Sequence, residues 1–239
     1  MFTKWLRNLD SKTFREKEGI FVVEGVKMVR EAIHSGYEVL AVYTTDVTLF
    51  PEATVISEKE MSRITLLNTH SPALAVLERH DFQEDFFLPL EKGCLYLGLD
   101  AIRDPGNLGT IIRVADWFGI QEIYASPDCV DRFNQKVIQA SMGSIFRIPV
   151  VYIDLAKLLD DAKIPVWGTA LEGESIYQAD LSGNGIILIG NEAHGLSPAL
   201  RKKINRSLYI PSSPRDGSNP ESLNAAVAAA IVCSEFRRR

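Results

Sequence analysis

Cysteine is scarce in this chain, and no segment has the makings of a membrane span. Cys94, Cys129 and Cys233 are the only three cysteines. They lie far apart, with no C-x-x-C pair and no histidine beside any of them. This argues against a disulfide framework and against a zinc site. They read as small buried residues. No apolar run approaches the roughly 20 residues that cross a bilayer. Residues 1–7 lack the hydrophobic stretch of a signal peptide. These absences point to a cytoplasmic protein with no membrane partner. Positive charge is also short. The net charge is −5, which weighs mildly against nucleic acid, because phosphate binding usually needs a basic surface. G-x-G-x-x-G and the P-loop pattern are both missing. That counts against an ordinary nucleotide-dependent α/β enzyme such as an oxidoreductase.

The charge that is present is uneven. Residues 1–30 hold Lys4, Arg7, Lys12, Arg15, Lys17, Lys27 and Arg30 against Asp10, Glu16, Glu18 and Glu24, and the chain ends in Arg237, Arg238 and Arg239. A local basic face is compatible with the acidic total. Hydrophobic residues make up 46%, enough for a packed core.

Two regions differ in pattern. Residues 1–85 read as a small α/β unit. It has a helix over 4–17, a strand at 20–23, a helix closed by Gly36, a strand at 39–43, a short helix near 58–64 and a strand at 73–77. Residues 86–93 read as a linker, with Phe82, Phe86, Phe87 and Pro89 in an acidic, aperiodic stretch. From 94 to 239 strands alternate with helices, which implies a parallel sheet. Leu95 to Leu99 is a near-continuous apolar strand, as expected when both faces are buried. Further strands fall at 122–125, 147–151, 166–170, 186–189 and 208–210. Leu223, Val227, Ala230 and Ile231 share one face of a terminal helix.

Three loop–helix junctions carry the chemistry. The first, Asp104 to Thr110 followed by Arg113, opens a helix directly after a buried strand, and backbone amides there suit an anion. Asn107 is the expected N-cap. A plain turn with a solvated Arg113, paired with Asp116, is the competing reading. The second runs Ile189, Gly190, Asn191, Glu192, Ala193, His194, Gly195, Leu196, Ser197. Its glycines let backbone approach a ligand, and Ser197 with Pro198 starts a helix. His194 reads as an exposed loop side chain, with a base as the other reading. The third runs from Ile210 through Ser222, Leu223 and Asn224 into an alanine-rich helix. Ser218-x-x-Glu221 has the form of a capping box there. The small residues after it suit close packing against backbone or another subunit.

Together, in this order, the junctions resemble the three signature motifs of the SpoU/TrmH-type branch of the SPOUT methyltransferases. Asn107, Gly109 and Arg113 match the first. Gly190, Glu192, Gly195 and Leu196 match the second. Ser222, Leu223 and Asn224 match the third. Residues 134–149 look like the family's region between its first two motifs, and residues 15–25 look like its substrate-recruiting domain. The loop from 211 to 221 is longer and more polar than the family's usual spacing.

The resemblance implies an α/β fold with a deep trefoil knot in the parallel-sheet C-terminal domain, preceded by a small α/β RNA-binding domain. It implies a homodimer with the active site at its interface. It implies S-adenosylmethionine as cofactor, bound by Ile189, Gly190, Gly195, Leu196, Ile210, Ser222 and Leu223. The activity it implies is methylation of a ribose 2′-hydroxyl in RNA, with ribosomal RNA preferred over transfer RNA and no metal required. Arg113, Asn107, Glu192, Ser222 and Asn224 would form the catalytic set. Arg113 would hold a phosphate and the hydroxyl, since a guanidinium stays charged and is a poor base. Two other readings use the same fold: a non-catalytic RNA-binding or assembly protein, and an enzyme that methylates a base.

Overall fold

The computed structural model describes residues 2–80, 90–160, 162–213 and 222–238. The first unit holds α1 (Phe2–Asn8), α2 (Lys12–Glu18), β1 (Ile20–Glu24), α3 (Val26–Ile33), β2 (Val39–Thr44), β3 (Thr54–Val55), α4 (Glu58–Ile64) and β4 (Ala73–Glu78). Its sheet runs β1-β4-β2-β3. β4 is antiparallel to both β1 and β2, and β3 is parallel to β2.

The helix expected over 4–17 is two helices, α1 and α2. Leu6 and Leu9 keep helical spacing and are both buried, but the chain turns at Asp10 and Ser11. Arg15 explains why the break is stable. Its guanidinium donates to the Leu9 and Asp10 carbonyls at 2.7 Å each, satisfying oxygens that the interrupted helix leaves open.

The second unit holds β5 (Leu95–Leu99), α5 (Pro105–Trp117), β6 (Ile123–Ala125), α6 (Gln135–Ser141), β7 (Val150–Tyr152), α7 (Leu155–Asp160), β8 (Val166–Ser175), β9 (Gly185–Ile189), α8 (Pro198–Arg201), β10 (Arg206–Tyr209) and α9 (Ala225–Arg238). The sheet order is β10-β8-β9-β5-β6-β7. Every pair is parallel, as the apolar strand runs predict.

Alternation along the strands divides the core. Leu95, Leu97, Leu99, Ile187 and Ile189 pack with Ile111, Ile112 and Ala115 of α5 and with Ala225, Ala229, Val232 and Phe236 of α9. Tyr96, Tyr124, Ile186 and Leu188 pack with Leu155, Leu159 and Leu200 on the other face. The buried alanines of α9 thus serve packing within the subunit. The path β5-β6-β7 runs to one side, and the chain then returns to place β9 beside β5. Order reverses between β5 and β9, and ligands of open parallel sheets bind at the strands' C-terminal ends at such a point.

The two units share a core. Phe21, Val23 and Met28 pack with Phe133, Ile138 and Ile145. Arg15 pairs with Asp131 at 2.5 Å, and both side chains are almost fully buried.

Of the expected features, Phe82, Phe86, Phe87, Pro89 and half of the linker lie outside the described residues. So do residues 214–221 of the long polar loop, with the Ser218–Glu221 capping box, and Arg239.

Candidate active site

The site is built at the carboxyl ends of β5 and β9, which lie side by side with Leu99 opposite Ile189. The Asp100 amide donates to the Ile189 carbonyl at 2.9 Å, and the Asp100 carboxylate accepts from the Ser197 amide at 2.6 Å. These bonds lock the loop after β5 to both ends of the loop after β9.

Asp104, rather than Asn107, caps α5. Its side chain accepts from the Asn107 amide at 2.8 Å, and Pro105 occupies the first helical position. Proline suits that position because its missing N–H would be unpaired there anyway. Asn107 therefore sits inside the first turn, with its side chain free for other use.

That use is the centre of the site. The Asn107 side-chain amide donates to the Glu192 carboxylate. Its carbonyl oxygen accepts from the Asn224 side chain at 2.8 Å. Asn224 in turn caps α9, its side-chain oxygen accepting from the Ala226 and Val227 amides at 3.0 and 3.3 Å. Ser222 donates to the Glu192 backbone carbonyl at 3.4 Å. Three loops separated by as many as 117 residues are thus joined through two asparagines and one glutamate.

Gly190 is explained by the loop's own folding. A Cβ there would lie 2.3 Å from the Gly195 carbonyl carbon and 2.4 Å from the Leu196 nitrogen. Asn191 and Gly195 exchange both backbone hydrogen bonds across this contact, at 3.1 and 2.8 Å. The glycines expected to let a ligand approach are needed first to let the loop close on itself. The side chains of Ile189 and Leu196 point into the core, which leaves backbone as their means of contacting a ligand. Ile210 is half-buried against the same core, and Leu223 is 43% exposed. His194 is exposed, and its carbonyl accepts from Arg201 at 3.0 Å.

Arg113 stands apart. It is exposed and makes no hydrogen bond or ion pair among the described residues. Six residues at about 100° each place it roughly 120° around α5 from Asn107 by the shorter way. It lies on one strip of the helix with half-buried Gly106, exposed Thr110 and Trp117, the last 83% exposed. The expected pairing with Asp116 does not form. Asp116 accepts instead from Arg147 Nε and Nη2 at 2.9 and 2.8 Å and from Ser144 Oγ at 2.7 Å. Burial alone would raise the Asp116 carboxyl, but the hydrogen bonds and charge of Arg147 and the Ser144 hydroxyl bring it below its ordinary value of 3.8.

One segment escaped the sequence reading. β8 is longer than expected, and its pairing with β10 jumps from Gly168 opposite Ser207 to Glu174 opposite Leu208. Residues 169–173 bulge from the sheet beside the end of β9, and Leu171 there is 75% exposed. Leu171-Glu172-Gly173 carries no strand signal, because glutamate and glycine are disfavoured in strands.

The fold agrees with that of known proteins. The model of the SpoU rRNA Methylase family matches residues 94–234, and that of the MRM3-like substrate binding domain matches residues 2–78. The 23S rRNA (guanosine(2553)-2'-O)-methyltransferase RlmP of Bacillus subtilis is 34% identical over 97% of this chain and 94% of its own length. The AdoMet-bound rRNA methyltransferase from Sinorhizobium meliloti superposes with a TM-score of 0.85 at 30% identity, covering 99% of this chain and 94% of that one. The SpoU methyltransferase AviRb from Streptomyces viridochromogenes, in complex with AdoMet, gives 0.84 at 25% identity, covering 99% and 97%. The chain belongs to the SpoU rRNA methylase family.

Proposed function

We propose that this protein transfers a methyl group from S-adenosylmethionine to a ribose 2′-hydroxyl of ribosomal RNA. The observation that carries the reading is the Asn224–Asn107–Glu192 chain across the carboxyl ends of the central strands. It occurs in a chain 34% identical, nearly end to end, to a relative named for 23S rRNA 2'-O-methylation.

The residues present fit the cofactor. A carboxylate at Glu192 complements a cationic donor and can accept from its hydroxyl or amino groups. Exposed Leu171 and Leu223 and half-buried Ile210 offer apolar surface for a purine. The loops after Ile189 and Ile210 and the segment Ser222–Leu223 would hold it, with Gly190, Gly195 and Leu196 contributing backbone. Bound there, S-adenosylmethionine supplies a sulfonium methyl to an attacking oxygen.

The chain's own residues align the reactants. Asn107 and Asn224 hold Glu192 in place, so the loop does not reorganise during reaction, and such alignment is worth several kcal/mol. Ser222 lies at the rim, where its hydroxyl can reach substrate. Arg113 binds an RNA phosphate next to the reacting ribose. Its guanidinium stays protonated, so the hydroxyl proton leaves to phosphate or water.

Arg113 and Asn107 face different sides of α5, so one subunit does not converge them. The reading that unites them is a homodimer in which Arg113 serves the cofactor loops of the partner subunit. Trp117 on α5, with Leu223 and Val227 beside and on α9, is exposed at 83%, 43% and 48%, which supplies apolar surface for that contact. We also assign residues 1–85 to RNA recruitment, 86–93 to a linker and 94–239 to catalysis, with a trefoil knot where the segment entering α9 reaches back to α5 and to the loop after β9. The substrate class and three free cysteines support a cytoplasmic location.

Transfer of labelled methyl to ribosomal RNA, followed by alkaline hydrolysis, tests the activity. Ribose methylation leaves one alkali-resistant phosphodiester carrying the label. Label on an alkali-labile nucleotide would mean a base target. Donor and RNA binding without transfer would mean an assembly protein.

A further inference from the structure

Arg147 occupies a junction that the reaction chemistry described above does not use. It follows the short 3-10 turn Ser144–Phe146 and is about half exposed. Its three guanidinium nitrogens are divided between two carboxylates on different units. Nη1 donates to Glu31 Oε2 at 2.6 Å, while Nε and Nη2 both donate to Asp116 Oδ2 at 2.9 and 2.8 Å. Glu31 lies on α3 of the first unit, the region matched by a substrate-binding domain model. Asp116 lies on α5, three residues beyond Arg113, so the two side chains leave the helix on neighbouring faces. Ser144 Oγ donates to the same Asp116 oxygen at 2.7 Å. A planar fork with fixed donor directions sets angle as well as distance. A lysine would supply charge without that geometry.

We infer that Arg147 is a positioning residue for methyl transfer, fixing α5 and its Arg113 relative to the RNA-recruiting unit through Asp116 and Glu31. The inference rests on the methyl-transfer reading above. RNA held by the first unit must present its ribose where Arg113 can reach the adjoining phosphate, and the Glu31–Arg147–Asp116 bridge spans that gap. Surface ion pairs contribute little to stability. The function of this one is register.

The test uses full-length Arg147→Ala, Arg147→Lys and Glu31→Gln. Four quantities are compared: donor affinity by calorimetry, RNA affinity, the single-turnover transfer rate at saturating RNA, and the melting temperature. A 1 Å misplacement can cost on the order of 100-fold in rate. The expected result for Arg147→Ala is a single-turnover rate reduced roughly 10- to 100-fold with donor affinity unchanged. Arg147→Lys and Glu31→Gln should fall in between. Glu31→Gln, a half-exposed change, keeps the test valid if Arg147→Ala folds poorly. A single-turnover rate within about twofold of wild type in every variant, or a loss seen only in RNA affinity or melting temperature, would overturn the inference. Absence of transfer by the wild type would instead overturn the underlying reading.

Discussion

Asn107 uses both ends of its side-chain amide inside the protein, donating to Glu192 and accepting from Asn224. Truncating it leaves the half-buried Glu192 carboxylate and the exposed Asn224 amide without this partner, which costs about 1 kcal/mol. Asn107→Ala should lower the free energy of unfolding by that amount and weaken donor binding in calorimetry, because Glu192 loses its brace. Asp116 gives a pH prediction. Its carboxyl is held below its ordinary 3.8, so the folded state binds that proton less well than the unfolded chain. The stability it contributes is present above that ordinary value and is lost as pH falls through the lower, folded value. Denaturation of wild type and Asp116→Asn should differ slightly, by less than about 1 kcal/mol, at neutral pH and converge in strong acid. At this scale the motif residues were legible as residue types, but their reasons were not. Asn107 reads as a cap until Asp104 is seen taking that place. Gly190 reads as a ligand-approach glycine until Gly195 is seen packed against it.

The elements were legible where burial dictates sequence. Strands buried on both faces read as unbroken apolar runs, and β5 and β9 fall within a residue of expectation. The break between α1 and α2 was hidden. Leu6 and Leu9 continue a helical stripe, and the group that stabilises the turn is Arg15, itself anchored to Asp131, 116 residues away. Packing between α5 and α6 was hidden for the same reason. A Cβ on Gly109 would lie 2.5 Å from both the Ala140 Cβ and the Val137 carbonyl oxygen. Since backbone cannot yield as a side chain can, Gly109→Ala should destabilise by about 1–3 kcal/mol. Thermal unfolding of the two proteins measures it. Gly109 is accordingly a helix-packing residue in this fold.

At the scale of the molecule, sequence divides the chain into two units, and periodicity says nothing about how they meet. They meet through a continuous core. Phe21 of β1 lies 4.5 Å, centroid to centroid, from Phe133 at the entry to α6, and the Arg15–Asp131 pair is sealed beside it. Removing one partner of such a pair strands a buried charge, at a cost of roughly 3–5 kcal/mol. Asp131→Ala should lose that much, and because the core is shared it should lower one cooperative transition rather than release the first unit alone. Differential scanning calorimetry distinguishes the two outcomes. The dimer proposed above rests on the same scale of reasoning. Arg113 is exposed on a different side of α5 from Asn107, and a second subunit is what would complete the site.

The most direct test of the central claim pairs donor titration with methyl transfer to ribosomal RNA, for wild type and for Arg113→Ala. The account predicts that both proteins bind S-adenosylmethionine, that only the wild type labels ribosomal RNA efficiently, and that Arg113→Ala transfers about 100- to 1000-fold more slowly. Equal transfer by the two proteins would contradict the role given to Arg113. Absence of both donor binding and transfer in the wild type, with RNA present, would contradict the claim that this chain is a methyltransferase.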